Sequence, residues 1–457
     1  MINLCCDFTL YNLDIQWLED NWVDIYNTNK KPHWPELKSF SEFENLSDDF
    51  KTICRKVKLD PKSQKERHGF REIPYPTCTR HNGVYGYDSW GEFSTTYPNT
   101  EHVRLIDYLY DEGVPYKLWK ISEAPIDSFY IIGLNIFHPD FDYFSEISNE
   151  AYARLKRNEI NVLFFYDEAD NPIEIKKSLS TLCQKHDIDI ERIHFVSGNT
   201  YADKIENFYY FFDDELLYRR SQQKENIVPY HEEKREKKFT ALVRIHKLWR
   251  AIFMGELWRA GVHDQGFFSY NQISQGKESD EVSCQPFDRE FIESKYRLIQ
   301  NFLADGPFKA DSLNDIDHNS FESLNKEHFE KSYCNFVVET YFNMQDNIGT
   351  CLTEKIIKPI CHNQFFIVVG PPHTLKELKK FGYKTFDRVI DESYDDIEND
   401  QKRMEAVIEL CSEIASMPDH RLHKLYLDLK PEITHNSKLF LESKKERLTD
   451  LISKLQQ

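Results

Sequence analysis

Three short stretches carry residue types that could do chemistry together. Phe336-Val337-Val338-Glu339 reads as a buried strand ending in a carboxylate. Thr353-Glu354-Lys355-Ile356-Ile357-Lys358-Pro359 reads as a loop feeding a helix start, and Phe366-Ile367-Val368-Val369-Gly370 as a second buried strand closed by glycine. A carboxylate at the C-terminal end of a strand can accept from ribose hydroxyls. A helix N-terminus carrying a lysine can hold a diphosphate, because its unpaired amides and the helix dipole favour an anion. The combination predicts a nucleoside-diphosphate site, and sugar transfer from a nucleotide-sugar is the use that fits it best.

A departing nucleoside diphosphate gathers negative charge, which fixed cations and helix-end amides can stabilise. Lys355 offers a point charge and Arg250 a bidentate fork. Arg244, Lys247 and Arg250 follow the apolar run Phe239-Thr240-Ala241-Leu242-Val243, whereas Lys234, Arg235, Lys237 and Lys238 read equally well as solvated. Thr353, Glu354 and Glu339 complete the donor-binding set. The alternative use of Lys355 is a salt bridge with Glu354 or Glu339. Asp213-Asp214 and Asp395-Asp396 read as surface acids, and no Asp-x-Asp sits at a strand end. Neither a metal nor a cofactor beyond the nucleotide-sugar co-substrate is therefore expected.

Direct displacement at a sugar carbon needs a base for the acceptor's proton. Tyr166-Asp167-Glu168-Ala169-Asp170 follows the apolar strand Asn161–Tyr166, and ligands of open α/β sheets lie beyond such strand ends. Asp167 and Glu168 are the candidate bases, since clustered carboxylates raise one another's pKa. Capping of the helix that starts near Glu174 is the competing role. His138, in Ile136-Phe137-His138-Pro139-Asp140, is a further candidate against an ordinary structural histidine.

The elements that must position these residues alternate. Strands are expected at Phe129–Leu134, Asn161–Tyr166, Arg192–Asn199 and Phe208–Phe212, with helices at Phe144–Arg157 and Glu174–His186. After a charged segment, Arg219–Lys238, broken by Pro229, a second unit opens with the strand at Phe239 and the helix Leu248–Ala260 closed by Gly261. The acidic stretch Gly276–Glu327 reads as irregular. Pro359 implies a kinked or short helix after Thr353. A helix Thr374–Phe381 ends at Gly382, and apolar spacing marks two more around Met404–Cys411 and Leu448–Leu455. The expected fold is α/β: two Rossmann-like domains facing a cleft, with an aromatic-rich, irregular N-terminal region. The domains run 1–120 (fold unclear), 121–230 (acceptor side) and 231–457 (nucleotide-sugar binding, with the C-terminal helices).

At 457 residues the chain exceeds one ordinary core. Its 15 glycines supply neither G-x-G-x-x-G nor a Walker A loop, so phosphate binding must come from helix ends and basic side chains. A net charge of −19 disfavours sequence-independent nucleic-acid binding. Ten cysteines lack C-x-x-C spacing, the first residues lack a signal-peptide pattern, and no run approaches the ~18 apolar residues of a membrane helix. A soluble, cytoplasmic protein with no membrane partner is expected.

Residues 234–375 resemble the nucleotide-binding half of the fucosyltransferase family. The resemblance rests on Glu339, Thr353-Glu354-Lys355, Val368-Val369-Gly370 and the strand and helix from Lys237 to Leu257. It departs from the family where Thr340 follows Glu339, where the loop to Thr353 is longer, and where a Tyr before Thr-Glu-Lys is missing. It implies the two-domain GT-B architecture, with Arg250 and Lys355 on the phosphates and Glu339 and Glu354 on ribose or sugar. The acceptor would be a glycan, a protein or a modified nucleic-acid base, including modified bases of viral DNA. A non-catalytic nucleotide- or sugar-binding module is the alternative from another class.

Overall fold

The computed structural model describes residues 1–6, 105, 108–109, 112–134, 137–145, 147–166, 168–221, 227–273, 287–310, 325–344 and 348–457. The chain is α/β and forms two compact units. One is Met1–Leu216 together with Ser443–Gln457, and the other is Leu217–Glu442.

The first unit is built on a six-stranded parallel sheet of order β2-β1-β3-β4-β5-β6. Its strands are β1 (Ile2–Cys6), β2 (Tyr116–Lys120), β3 (Ser128–Leu134), β4 (Ile160–Tyr166), β5 (Ile193–Ser197) and β6 (Phe208–Tyr210). Every residue of β3 and β4 is buried, as expected of parallel strands covered on both faces. Helix α1 (Asn149–Lys156) starts where the Ser148 side chain accepts from the Ala151 amide. Helix α2 (Pro172–His186) starts with Asn171 accepting from Ile173 and proline in the first turn, and stops at Asp187 in the left-handed region.

Two of these strands, β1 and β2, lie in the region whose fold was unclear from sequence. The edge strand β2 carries Lys117 and Lys120, so its apolar signal is diluted. It is tied to β1 by the Trp119 indole, which donates to Asn3 at 3.0 Å.

The second unit holds a four-stranded parallel sheet of order β10-β9-β7-β8. Its strands are β7 (Lys237–Ile245), β8 (Phe267–Ile273), β9 (Ser332–Val338) and β10 (Phe365–Val369). Helix α3 (Asp213–Ser221) spans the division between the units. It is followed by α4 (Leu248–Arg259), α5 (Arg289–Asp305), α6 (Lys326–Lys331), α7 (Glu354–Cys361), α8 (Thr374–Lys380), α9 (Asp400–Ser416), α10 (Asp419–Asp428), α11 (Lys430–Leu441) and α12 (Lys445–Leu455). Helix α4 is buried nearly all round, and the chain leaves it at Gly261 with φ of +68°. The stretch read as irregular contains α5. This long helix is capped by Asp288 and buries Phe291, Leu298, Ile299 and Phe302 on one stripe; its many charges are the opposite, solvated face.

Two further readings need correcting. The final helix α12 belongs with the first unit, not with the nucleotide-binding one. Glu215, fully buried, pairs with Lys444 at 3.3 Å and with Arg447, and Lys454 reaches Asp203 at 3.3 Å. Likewise Asp213 and Asp395 are buried rather than surface acids. Asp395 accepts from the amides of Leu375 and Lys376, so it caps the start of α8. No described helix is long and apolar enough to cross a membrane. Cys183, Cys334, Cys361 and Cys411 are buried and form no disulfide.

Candidate functional site

In the second sheet the chain passes from β7 outward to β8, then returns across β7 to β9 and on to β10. The order therefore reverses between β7 and β9, and the carboxyl ends at such a point bound a crevice where open α/β sheets bind ligands. The paired register of β7 with β9 ends at Thr240–Asn335, although both strands run on. Lys247 and Arg250 stand just past the carboxyl end of β7, and Glu339 and Thr340 just past that of β9.

Glu339 lies at the centre. It is 1% exposed, and its Oε2 accepts from the Thr353 hydroxyl at 2.6 Å and the Thr340 amide at 3.3 Å. Its Oε1 is buried without a hydrogen-bond partner. Burial raises the carboxyl above its ordinary pKa, against the pull of Lys355 and the Thr353 hydroxyl. Gly370 ends β10 beside it, and a Cβ there would stand 3.1 Å from Cβ and Cγ of Glu339. A side chain at that position would press on the Glu339 stem, which would have to give by a few tenths of an ångström.

Thr353 has two tasks. While donating to Glu339 it caps α7, its oxygen accepting from the Lys355 amide at 3.2 Å. Lys355 sends its ammonium to the Thr340 hydroxyl and to Glu354 Oε1, both at 2.9 Å. Burial alone would lower the Lys355 pKa, but Glu354 and Glu339 outweigh it and the net shift is upward. Burial pushes Glu354 up, yet Lys355 and Lys358 bring it below its ordinary value. The salt bridge considered from sequence thus exists with Glu354, while the ammonium stays at the helix start, 30% exposed. Pro359 lies inside an eight-residue helix, the short form its position implied.

Arg250 is buried behind this cluster. Its Nε donates to the Glu339 carbonyl at 3.1 Å, its Nη2 donates to the same oxygen, and its Nη1 donates to the Ile245 carbonyl at 3.1 Å. Burial lowers its pKa to about 10, against Glu339 and Tyr270, and it stays protonated at neutral pH. Lys247 donates to the Thr340 carbonyl at 2.7 Å and stands over the Tyr341 ring. Both cations pin the end of β7 to the end of β9. Arg244 is exposed near the end of β7.

One residue of the surround escaped the sequence reading. Arg403 of α9 is buried, donates to the carbonyls of Gly370 at 3.2 Å and Phe342 at 2.8 Å, and pairs with Asp400. Its signal was present: position 403 falls on the apolar stripe of Met404, Val407 and Cys411, where a charge must find buried partners. Arg235, offered as solvated, is also buried and donates to the carbonyls of Phe329 and Ser332.

In the first unit the order reverses between β1 and β3. His138 lies just past the end of β3, half-buried, with its amide donating to the Tyr143 hydroxyl at 2.8 Å. Glu168 lies just past β4, one strand further from the reversal. Its side chain is exposed and its carbonyl accepts from Gly198. Asp170 accepts from the Tyr166 hydroxyl at 2.5 Å. The capping role considered for this cluster falls instead to Asn171. Asp167 lies outside the described residues. Among the described residues no group of three or more His, Cys, Asp or Glu side chains is gathered so as to hold a metal ion. Comparison with protein-family models, curated proteins and solved structures finds no match for this chain.

Proposed function

We propose that this chain is a metal-independent glycosyltransferase of the two-domain GT-B kind. In this reading Leu217–Glu442 holds the nucleoside diphosphate of a nucleotide-sugar donor, and the first unit receives the acceptor. The observation that carries it is the unpartnered, buried Glu339 Oε1 at the reversal of an open parallel sheet, next to a helix start that bears Lys355. A buried carboxylate oxygen without a donor costs free energy, and a ribose or sugar hydroxyl would satisfy it. The Lys355 ammonium and the first amides of α7 would take the diphosphate and the charge it gains as the sugar leaves. Arg250 and Lys247 hold the two strand ends at the spacing this requires, so Arg250 acts on the phosphates through the frame.

The acceptor's proton would go to a side chain at the carboxyl ends of the first sheet. Glu168 and His138 both stand there, and His138 is nearer the reversal. The acceptor in this reading is a glycan, a protein or a modified nucleic-acid base.

The competing reading is a nucleotide- or sugar-binding module without catalysis; in either, an arriving diphosphate must compete with Glu354 for the Lys355 ammonium. Incubation with UDP-, GDP-, CMP- and dTDP-sugars separates the two. Slow release of free sugar from one of them supports the enzyme. Tight nucleotide binding with no hydrolysis and no transfer to any acceptor supports the module. A general base contributes ~10²–10⁴ in rate. Glu168→Gln or His138→Asn should therefore lower kcat by that order with donor affinity unchanged; near-normal turnover in both would pass the role to Asp167, and near-normal turnover in Asp167→Asn as well would remove the base from the first unit.

A further inference from the structure

We propose that the uncovered half of the second sheet, at Leu242 and Asn271, seats the nucleobase of the bound nucleotide. The inference rests on the reading that the α7 helix start and Lys355 hold its diphosphate.

Strands inside a parallel sheet are normally covered on both faces. Strand β7 is internal, between β9 and β8, yet Leu242 is 39% exposed and Arg244, two residues on, is exposed as well. Alternation along a strand puts these two side chains on one face. Leu242 pairs with Ser269, so Ser269, which is buried, shares that face on β8, and Asn271 follows within the irregularity that shifts the register between Val243 and Ile245. Thr240 pairs with Asn335, so by the same alternation Glu339 borders the opening on β9.

The N-terminal half of this face is closed. The His328 ring stands 4.4 Å from the Phe267 ring, and its carbonyl accepts from the Thr240 hydroxyl. On the β9 side, α7 covers the sheet through the Thr353–Glu339 contact. Beyond it, Leu242 and Arg244 are exposed and Asn271 is half-buried, with no described helix seated on them.

The chemistry of that opening selects an occupant. Leu242 gives an apolar floor. Two buried polar atoms at this end of the sheet have no hydrogen-bond partner among the described residues, Glu339 Oε1 and Asn271 Oδ1. A ligand that satisfies all three has a flat face, an edge bearing an N–H donor, and hydroxyls on a linked ring. A nucleoside has these features. Pyrophosphate and sugar phosphates lack the flat face.

The test uses the full chain and calorimetry with UDP, GDP, ADP, dTDP and inorganic pyrophosphate. Leu242→Asp should raise the Kd of the tightest-binding nucleotide about tenfold or more, since it removes the apolar surface the base would bury, and leave pyrophosphate binding within about twofold. Asn271→Ala should change the ranking of the four nucleotides. Leu242→Ser, a milder change at an exposed position, should give the same pattern if the aspartate variant does not fold. Nucleotide affinity unchanged in the Leu242 and Asn271 variants would overturn the inference while the diphosphate reading stands. So would a wild-type protein that binds pyrophosphate as tightly as any nucleotide, or an equal loss of pyrophosphate binding in the variants. Binding of none of these probes by the wild type would overturn both.

Discussion

Glu339, Thr353 and Lys355 depend on one another, and their energetics come from burial. A carboxylate in a nearly dry position is tolerated because a hydroxyl, an amide and a nearby ammonium compensate it. That compensation is incomplete at Oε1, which is why the residue reads as a ligand contact and not as a staple. Lys355→Ala removes a cation that the helix start presents with appreciable exposure. It should weaken binding of a nucleoside diphosphate by ~1.5–3 kcal/mol, the range for a charge-assisted hydrogen bond, while leaving binding of the matching nucleoside unchanged. Calorimetry with both ligands decides it. Equal losses for the two would assign Lys355 to holding Glu354 alone.

At the scale of elements, α7 and the β10 strand it feeds are anchored by a histidine that must stay neutral. His362 ends α7, is fully buried, and its Nδ1 accepts from the Val228 amide at 3.1 Å. Burial lowers its pKa to about 3, with Lys326 and Lys358 adding to the effect. Below pH 6.5 the unfolded histidine takes up a proton that the folded one refuses. Stability must then fall with falling pH by about 1.4 kcal/mol per unit, or about 4 kcal/mol between pH 6.5 and 3.5. His362→Asn keeps an acceptor for Val228 and removes the titration. Denaturant unfolding across this range should give a shallower slope for the variant than for the wild type, and parallel curves would show that His362 does not carry it.

For the molecule as a whole, the return of α12 to the first unit has a direct consequence. Removing Ser443–Gln457 strips both cations from the buried Glu215 and uncovers the contacts of Leu448, Leu451, Ile452 and Leu455. Breaking a buried ion pair costs ~3–5 kcal/mol, so the truncated chain should lose a thermal transition assigned to the first unit. The transition stabilised by a nucleoside diphosphate should persist, because the candidate donor site lies wholly in Leu217–Glu442. Loss of nucleotide-dependent stabilisation in the truncated chain, with the second transition still present, would contradict this placement.

Much of the architecture was legible because its signals are local. The all-apolar runs of β3, β4, β9 and β10, the glycines after α4 and α8, and the Thr-Glu-Lys helix start depend on neighbours in sequence, and each element appears where those neighbours put it. The residues of the candidate donor site were nameable for the same reason, since strand ends and helix starts are positions a sequence marks. Features that depend on partners far along the chain were decided only by the tertiary structure. Edge strand β2 is a strand because Asn3 and β1 lie beside it, and Asp395 is buried because α8 needs a cap. Glu215 is charged inside a core because Lys444 and Arg447 return to it. Arg250 illustrates the division best. Its type and spacing announced a cation near the end of β7, but only the fold turns its guanidinium onto the carbonyls of Ile245 and Glu339. A charged group carries one formal charge in sequence, and its partners are chosen by whichever carbonyls and carboxylates the tertiary structure leaves within reach.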